Sequence, residues 1–283
     1  MLWEELRQDE FCAAVEESRG VCVIPIGCVE AHGIHMPLGC DVMHVLHQCK
    51  LAAEREPVVI FPPIYFGEKS GAGEYPGTII FSEDIIRKIL EQCCKEIHRN
   101  GFRKVLIVSG HGGNTNLLND FAWSSIREKH GYLVFVRNPT LKFSYPKNLL
   151  ANIEKYPYLT DEDIAVLEAY GDKVGGHGCF TETGWLLEAR PDLVRLDLMD
   201  KKDGRGTHRF DAFSEHNIFT AFSWQANHPD SLHADYHEGL NERIARAMTE
   251  AAVDDLAAGF RFLKEETIST EYYDEWAAKN PDL

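Results

Sequence analysis

The sequence lacks the patterns that mark several common classes of protein. Its 283 residues include 29 Lys and Arg against 45 Asp and Glu, a formal net charge of −16. This shortage of basic residues argues against nucleic acid and anionic membranes as partners, because phosphate binding needs clustered Lys and Arg. The longest apolar run, Val21–Ile26, is too short to span a bilayer. The first residues lack a basic segment followed by an apolar one, so we expect no secretory signal.

Several catalytic and metal-binding motifs are also missing. The eight cysteines include no Cys-x-x-Cys pair, which argues against a cysteine-based zinc knuckle. A chain of this size needs no disulfides, so we expect reduced thiols and a cytoplasmic location. There is no Gly-x-Ser-x-Gly motif for serine hydrolysis, and both common phosphate-loop patterns are absent.

What the sequence does contain is an alternation of short apolar runs with helical patterns. Strands are predicted at 21–26, 58–61, 104–109 and 132–136, and helices at 3–18, 41–55, 83–99, 114–129, 182–189 and 239–263. Repeated β-α-β units favour a mostly parallel sheet covered by helices on both faces. The fold class is therefore predicted as α/β, a three-layer α/β/α sandwich.

The chain is predicted to form a single domain over residues 1–283. Residues 138–176 are less regular and could form an insertion or a lid. Residues 265–283 are acidic and aromatic, and could be a docked tail or an oligomer contact.

The first cluster of candidate site residues follows the first strand. Glu30 and His32 are two residues apart, so on an extended segment their side chains point the same way. Asp41 follows where a turn rich in Gly and Pro could fold back, and its carboxylate is the natural candidate to bridge two metals. Carboxylate and imidazole donors suit zinc, manganese or iron. A strand end with solvated polar residues remains an alternative.

The second cluster, Ser109-Gly-His-Gly-Gly-Asn114, follows the clearest strand. Ligands in open α/β sheets bind at the carboxyl ends of strands, which places His111 at the same edge as the first cluster. Gly112 and Gly113 allow close backbone approach, and with Asn114 and His35 they are candidates for substrate contact. The alternative is a glycine turn with an incidental histidine.

The third cluster surrounds His177 and Glu182. His177 is held by flanking glycines and is a candidate acid or base, because an imidazole suits proton transfer near neutral pH. Glu182 opens a predicted helix, where it could ligate a metal, act in catalysis, or only stabilise the helix start. Cys28 and Cys179 lie beside these clusters, so a Cys/His nucleophile stays open.

Together these segments resemble the creatininase (creatinine amidohydrolase) family. The resemblance rests on four motifs in order, namely residues 25–41, Pro62-Pro-Ile64 with Tyr75-Pro-Gly-Thr78, residues 101–114, and His177 to Thr183. It implies a three-layer α/β/α fold, a homo-oligomer that is usually hexameric, and amide hydrolysis at a site with two divalent metals. It further implies Glu30, His32, Asp41 and His111 as ligands, and His177 near the substrate.

The sequence departs from creatininase itself at informative places. Creatininase has a glutamate ligand two residues after the histidine of this motif, where Gly113 stands here. Glu182 is then the best candidate for the missing ligand. The tryptophan and glutamate of creatinine-binding enzymes are replaced by Lys173 and Gly176, which argues against creatinine as the substrate.

Three hypotheses follow. The first is a metal-dependent amidohydrolase, in which a metal-activated water attacks a small-molecule amide or formamide and His177 protonates the leaving nitrogen. The second is a deformylase or ring-opening hydrolase of a nucleotide-like compound, with Arg137, Lys142 and Arg205 as candidates for a phosphate pocket. The third is a metal-binding assembly subunit without catalysis.

Overall fold

The fold is an α/β sandwich built on a parallel sheet. A computed structural model describes residues 1–68, 70–139, 144–171, 176–201, 206–232 and 238–281. The strands are β1 (Val21–Ile26), β2 (Val59–Ile60), β3 (Lys104–Ser109) and β4 (Leu133–Arg137), in the spatial order β2-β1-β3-β4. All three pairings are parallel. The predicted mostly parallel sheet is confirmed.

Alternating side chains of the strands bury two separate apolar layers. On one face, Val23 and Leu106 pack with α2 (Cys40–Arg55) and α10 (Glu242–Glu265). On the other, Ile24 and Ile107 pack with α3 (Glu83–Arg99) and α4 (Asn114–Ser124). Residues two apart on a strand share a face, so continuously apolar strands can be covered on both sides. The predicted three-layer α/β/α fold is confirmed.

The remaining helices complete these layers. They are α1 (Phe11–Glu17), α5 (Pro146–Leu150), α6 (Asp161–Tyr170), α7 (Phe180–Ala189), α8 (Asp211–Glu215), α9 (Phe222–Asn227) and α11 (Ile268–Lys279). Residues of α5, α6 and α7 share one apolar cluster with α10. Within the described residues, the helices are too short or too polar to cross a bilayer.

The last helix, α11, lies in the segment expected to be an acidic tail. The Tyr273 hydroxyl accepts hydrogen bonds from the backbone N–H groups of His130 and Gly131, at 3.1 and 2.7 Å. Asp274 pairs with Arg103 at 2.7 Å. These contacts dock the helix beside the start of β4.

Several boundaries differ from the sequence prediction. Strands β1 and β3 have the predicted bounds, whereas the helix expected over 3–18 spans only Phe11–Glu17. The backbone N–H of Arg7 instead donates to the Glu10 carboxylate at 3.0 Å, which closes a local turn before the helix. Similarly, α4 ends at Ser124, and a short 3₁₀ turn, Ser125–Arg127, follows it.

The order of the strands reverses its direction between β1 and β3. Strands β1 and β3 form the centre of the sheet. The chain adds β2 beside β1 at one edge, and later adds β4 beside β3 at the other edge. Ile26 pairs with Ser109, so the carboxyl ends of β1 and β3 lie side by side. Such reversal points are where open α/β sheets bind ligands. Both of the first two predicted clusters begin there.

Candidate metal centre

The five predicted ligands converge at this edge of the sheet. Glu30 and His32 lie just after β1, His111 just after β3, and Asp41 and Glu182 in the first turns of α2 and α7. All five side chains are buried, with Glu182 the most exposed at 9%. Burying three carboxylates together is costly unless cations or protons compensate their charge. Their convergence therefore indicates a site built for positive charge.

Asp41 lies between the two histidines. Its Oδ1 is 3.0 Å from His32 Nε2, and its Oδ2 is 3.0 Å from His111 Nδ1. The approach of α2 to the strand ends requires Gly110, because a Cβ there would be 2.2 Å from the Asp41 carbonyl oxygen. One carboxylate thus presents a separate oxygen to each imidazole, which is the arrangement of a bridging ligand.

Backbone carbonyls orient both of these imidazoles. His32 Nδ1 donates to the carbonyl of Glu30 at 3.1 Å, and His111 Nε2 donates to the carbonyl of Glu68 at 3.0 Å. A carbonyl oxygen can only accept, so these outer nitrogens carry the hydrogen. The inner nitrogens, His32 Nε2 and His111 Nδ1, are then available as ligands facing Asp41.

The other two carboxylates each lie nearer one histidine. Glu30 Oε1 is 2.8 Å from His111 Nδ1, but 4.0 Å from His32 Nε2. Glu182 Oε2 is 3.6 Å from His32 Nε2, and it also accepts from the backbone N–H of Gly178 at 2.7 Å. Glu182 therefore supports the start of α7 and reaches the cluster, so both of its predicted roles are compatible with the structure.

The donors form two overlapping sets. Glu30, Asp41 and His111 make one, and His32, Asp41 and Glu182 make the other, with Asp41 in both. Each set combines an imidazole with carboxylate oxygens, which suits zinc, manganese or iron. The residues present thus fit divalent cations, and Asp41 would be the ligand common to both sets.

The electrostatics of the cluster agree with this interpretation. Burial alone would raise the pKa of Asp41, but His32 and His111 hold it well below its usual range. Burial alone would lower the pKa of His111, but Cys28 and Asp41 raise it to about 10. Burial raises the pKa of Glu182. Protons on the imidazoles thus compensate carboxylate charge at this site, as cations would.

His177 also borders the cluster, beside Glu30. Its Nε2 donates to the carbonyl of Ala31 at 2.7 Å, and its Nδ1 is 3.7 Å from Glu30 Oε1. Its ring lies against that of His32, with ring centroids 4.1 Å apart. Since Nε2 carries a hydrogen, Nδ1 is the nitrogen that can exchange a proton with a group at the centre, or serve as a further ligand.

The loop after β3 supports His111. A Cβ at position 113 would lie 2.3 Å from His111 Nε2, so this position of the imidazole requires Gly113. Asn114 is buried, and its Oδ1 accepts from the backbone N–H of Glu68 at 2.8 Å. Asn114 therefore holds the carbonyl that orients His111, whereas Gly112 is exposed. Direct substrate contact by these residues stays a prediction.

His35 is buried and contacts α7. Its Nε2 is 3.0 Å from the hydroxyl of Thr183, which follows Glu182. This contact ties the loop after β1 to the start of α7. A role for His35 in substrate binding also stays a prediction.

Of the residues suggested for a phosphate pocket, Arg137 lies within the described part of the chain. Arg137 ends β4 and pairs with Asp255 of α10. It lines a small cavity with His44 and Trp185, on the face of the sheet covered by α2 and α10. Lys142 and Arg205, together with Lys173, lie outside the described residues.

A C-terminal segment that the sequence did not identify also borders the site. The Trp224 ring meets the His177 ring edge-on, with centroids 5.3 Å apart. The Ser231 hydroxyl donates to the carbonyl of Ala31 at 2.8 Å, the same oxygen that His177 contacts. The sequence showed only scattered His and aromatic residues here, without a spacing that links them to the earlier motifs.

Comparisons with known proteins agree with this geometry. The family model described as creatininase, creatinine amidohydrolase, matches residues 4–260. Creatinine amidohydrolase of Pseudomonas putida is 26% identical over 202 residues, covering 68% of this chain and 73% of that protein. The mycofactocin precursor peptide peptidase of Mycolicibacterium smegmatis is 29% identical over 103 residues, covering 34% of this chain and 41% of the peptidase.

Solved creatininase structures share the fold. A zinc–zinc form of a mutant creatininase superposes with a TM-score of 0.72 at 22% identity, covering 94% of this chain and 98% of the other. A structure described as creatininase Mn gives a TM-score of 0.71 at 22% identity, covering 94% and 99%.

Proposed function

The chain belongs to the creatininase family of amidohydrolases, and we propose that it is a metal-dependent hydrolase with two divalent cations per subunit. Its substrate is a small molecule with a non-peptide amide or formamide C–N bond, which can be part of a ring. The observation that carries the proposal is Asp41, whose two carboxylate oxygens each lie 3.0 Å from a different histidine. The zinc–zinc and manganese forms of related creatininases support a cation of this class, with iron a further option.

The ligands divide between two cations. Glu30, Asp41 and His111 would hold one, and His32, Asp41 and Glu182 the other. Bound cations would supply an activated water and polarise the carbonyl oxygen of the substrate. In this assignment Glu182 replaces the ligand that Gly113 cannot provide.

His177 is the proposed proton carrier. Its Nε2 is fixed on the carbonyl of Ala31, so a proton enters and leaves through Nδ1, which faces the cluster beside Glu30. A group in this position can protonate the leaving nitrogen when the C–N bond breaks. The Trp224 ring contacts the His177 ring edge-on, which helps to fix the position of the imidazole.

Two other enzymatic functions share this site. Hydrolysis of a peptide C–N bond is favoured by the match to the mycofactocin precursor peptide peptidase. Deformylation or ring opening of a nucleotide-like compound loses one of its suggested contacts, because Arg137 is paired with Asp255. The three differ in substrate but need the same metal ligands.

The test compares metal content with turnover. We expect the purified protein to contain close to two metal ions per chain, and to hydrolyse members of a panel of cyclic amides, formamides and short peptides. His177→Ala should retain the metal and lose turnover. Protein without stoichiometric metal would contradict the proposal, and retained metal without turnover of any panel member would favour the assembly subunit.

The proposal also includes the expected partners. The net charge of −16 argues against nucleic acid and anionic membranes as partners. We propose a cytoplasmic homo-oligomer, which the resemblance to the family suggests is a hexamer. Light scattering of the purified protein measures the oligomeric state directly.

A further inference from the structure

Cys28 lies inside the metal-ligand cluster. It follows β1 by two residues and is only 1% exposed. Its Sγ, a carboxylate oxygen of Asp41 and a ring nitrogen of His111 all lie within 4.8 Å of one another. A side chain so placed needs only a small adjustment to reach a cation that Asp41 and His111 hold.

One backbone carbonyl orients both Cys28 and His111. The carbonyl oxygen of Glu68 lies 3.6 Å from Cys28 Sγ and 3.0 Å from His111 Nε2. The thiol and the imidazole thus donate to the same carbonyl oxygen. This arrangement makes Cys28 part of the surroundings of His111 rather than a separate buried cysteine.

With Cys28, the donors available to the cation assigned to Glu30, Asp41 and His111 would number four. Glu30 Oε1 and Asp41 Oδ2 lie 2.8 and 3.0 Å from His111 Nδ1, and Cys28 Sγ lies within 4.8 Å of donor atoms of Asp41 and His111. Four donors that include His and Cys match the tetrahedral preference of zinc. Manganese prefers oxygen donors, and a thiolate disfavours it.

We propose that Cys28 binds as a thiolate to the cation held by Glu30, Asp41 and His111, and that it makes this site selective for zinc over manganese. The inference rests on the proposed two-metal site. Binding breaks the S–H bond and forms a metal–sulfur bond, and the proton leaves to solvent, so no oxidant or reductant is required.

Two other cysteines near the cluster serve as controls. Cys40 Sγ can join a donor group with His32 and Asp41, but its thiol donates to Met36 Sδ at 3.8 Å. Cys179 Sγ accepts from the backbone N–H of Gly176 at 2.6 Å. Cys28 and Cys40 each lie within 4.8 Å of donor atoms of Asp41 and one histidine, so Cys40 is the competing ligand, whereas Cys179 belongs to no such donor group among the described residues.

The first experiment loads the metal-stripped full-length protein with Co²⁺ and records the near-ultraviolet absorbance. A thiolate ligand gives an intense sulfur-to-cobalt charge-transfer band. We expect this band in the wild type and its loss in Cys28→Ser, with Co²⁺ still bound. Cys40→Ser and Cys179→Ser should keep the band. Cys28→Ser should also reduce the preference for Zn²⁺ over Mn²⁺ in competition, on the order of tenfold or more.

A second measurement uses the wild-type protein, so it does not depend on whether a variant folds. X-ray absorption of the zinc-loaded wild type should show sulfur in the metal shell at about 2.3 Å. A shell of nitrogen and oxygen only, or a cobalt band that survives Cys28→Ser and disappears in Cys40→Ser, would overturn the inference while leaving the two-metal proposal intact. Failure to bind Co²⁺ or Zn²⁺ at all would overturn both.

Discussion

Buried carboxylates occur in two regions of this protein, at Asp163 and at the ligand edge of the sheet, and they differ in the groups that surround them. Asp163, near the start of α6, is 1% exposed, and both of its oxygens are met by donors. Arg243 donates to Oδ2 at 2.6 Å and to Oδ1 at 3.0 Å, Asn241 donates to Oδ1 at 2.7 Å, and the Thr160 backbone donates to Oδ2 at 2.9 Å. At the sheet edge, Glu30, Asp41 and Glu182 instead crowd together with imidazoles.

The comparison shows how a buried acid can indicate its role. Asp163 closes a capping box at the start of α6 and ties it to the start of α10, so its charge is balanced within the fold. Three acids that share two histidines need protons on the imidazoles and on a carboxyl group, or bound cations, to balance their charge. The first arrangement stabilises the fold, and the second is suited to binding.

The largest effect should come from breaking the bridge at the sheet edge. Asp41→Asn keeps the size of the side chain but removes the charge shared by both cation sites. We expect loss of bound metal, and a fall in kcat/KM on the order of 1000-fold or more, because metal catalysis supplies several kcal/mol. Elemental analysis and turnover measure the two effects, and a variant with full metal content would contradict the assignment.

The second effect is a dependence of stability on pH that metal removes. The pKa of His111 in the folded protein is about 10, above its unfolded value. Its contribution is therefore fully present below pH ~6.5 and is lost as the pH rises towards 10, on the order of 4 kcal/mol in all. Thermal melts of metal-stripped protein should show this fall in stability.

Two controls isolate that contribution. His111→Gln should flatten the pH dependence of the metal-stripped protein between pH 6.5 and 10. Loading with zinc should also reduce it, because a ligating imidazole is neutral. An unchanged slope in both cases would assign the titration to other groups.

Asp163 provides the matched change in the other region. Asp163→Asn should lower the free energy of unfolding by about 2 kcal/mol, through loss of the charged partner of Arg243 and of part of the capping box. The lowered pKa of Asp163 means that its contribution is present above pH ~4 and is lost as the pH falls.

The same variant should leave metal content unchanged, unlike Asp41→Asn. Asp161→Asn, at an exposed position in the same helix turn, is the control and should change stability little. Urea unfolding measures the first effect, and elemental analysis the second. Loss of metal in Asp163→Asn would mean that the two regions are coupled.

The smallest effect is expected at an exposed ion pair far from both regions. Asp120 and Arg87 join α4 and α3 at 2.6 Å, and the Asp120 side chain is 65% exposed. Asp120→Asn should change the free energy of unfolding by about 0.5 kcal/mol or less, because water and salt screen such pairs. If urea unfolding gives a larger change in the free energy of unfolding, the exposure of this ion pair does not predict its contribution to stability.

The sheet and the ligand edge could be predicted from the sequence because their signals are local. Continuous apolar runs gave the bounds of β1 and β3, and parallel topology then placed the residues after them at one edge. Helix ends were less predictable. Ser82, a residue type that commonly caps helices, stands before α3, but its side chain makes no capping hydrogen bond.

The surroundings of the ligands could not be predicted from spacing. Trp224 and Ser231 reach the site from a segment almost 200 residues after Ala31, and no local periodicity records such a contact. Cys28 was visible beside Glu30, but its approach to His111 depends on the carbonyl of Glu68 from the intervening loop. The family resemblance supplied the ligand types, whereas the roles of individual neighbours needed the structure.

The most direct test is a crystal structure of the metal-loaded protein with anomalous scattering. We expect two anomalous peaks, one on each side of the Asp41 carboxylate. One should lie beside Glu30 and His111, and the other beside His32 and Glu182. A single peak that leaves one Asp41 oxygen uncoordinated, or ions bound away from these residues, would contradict it.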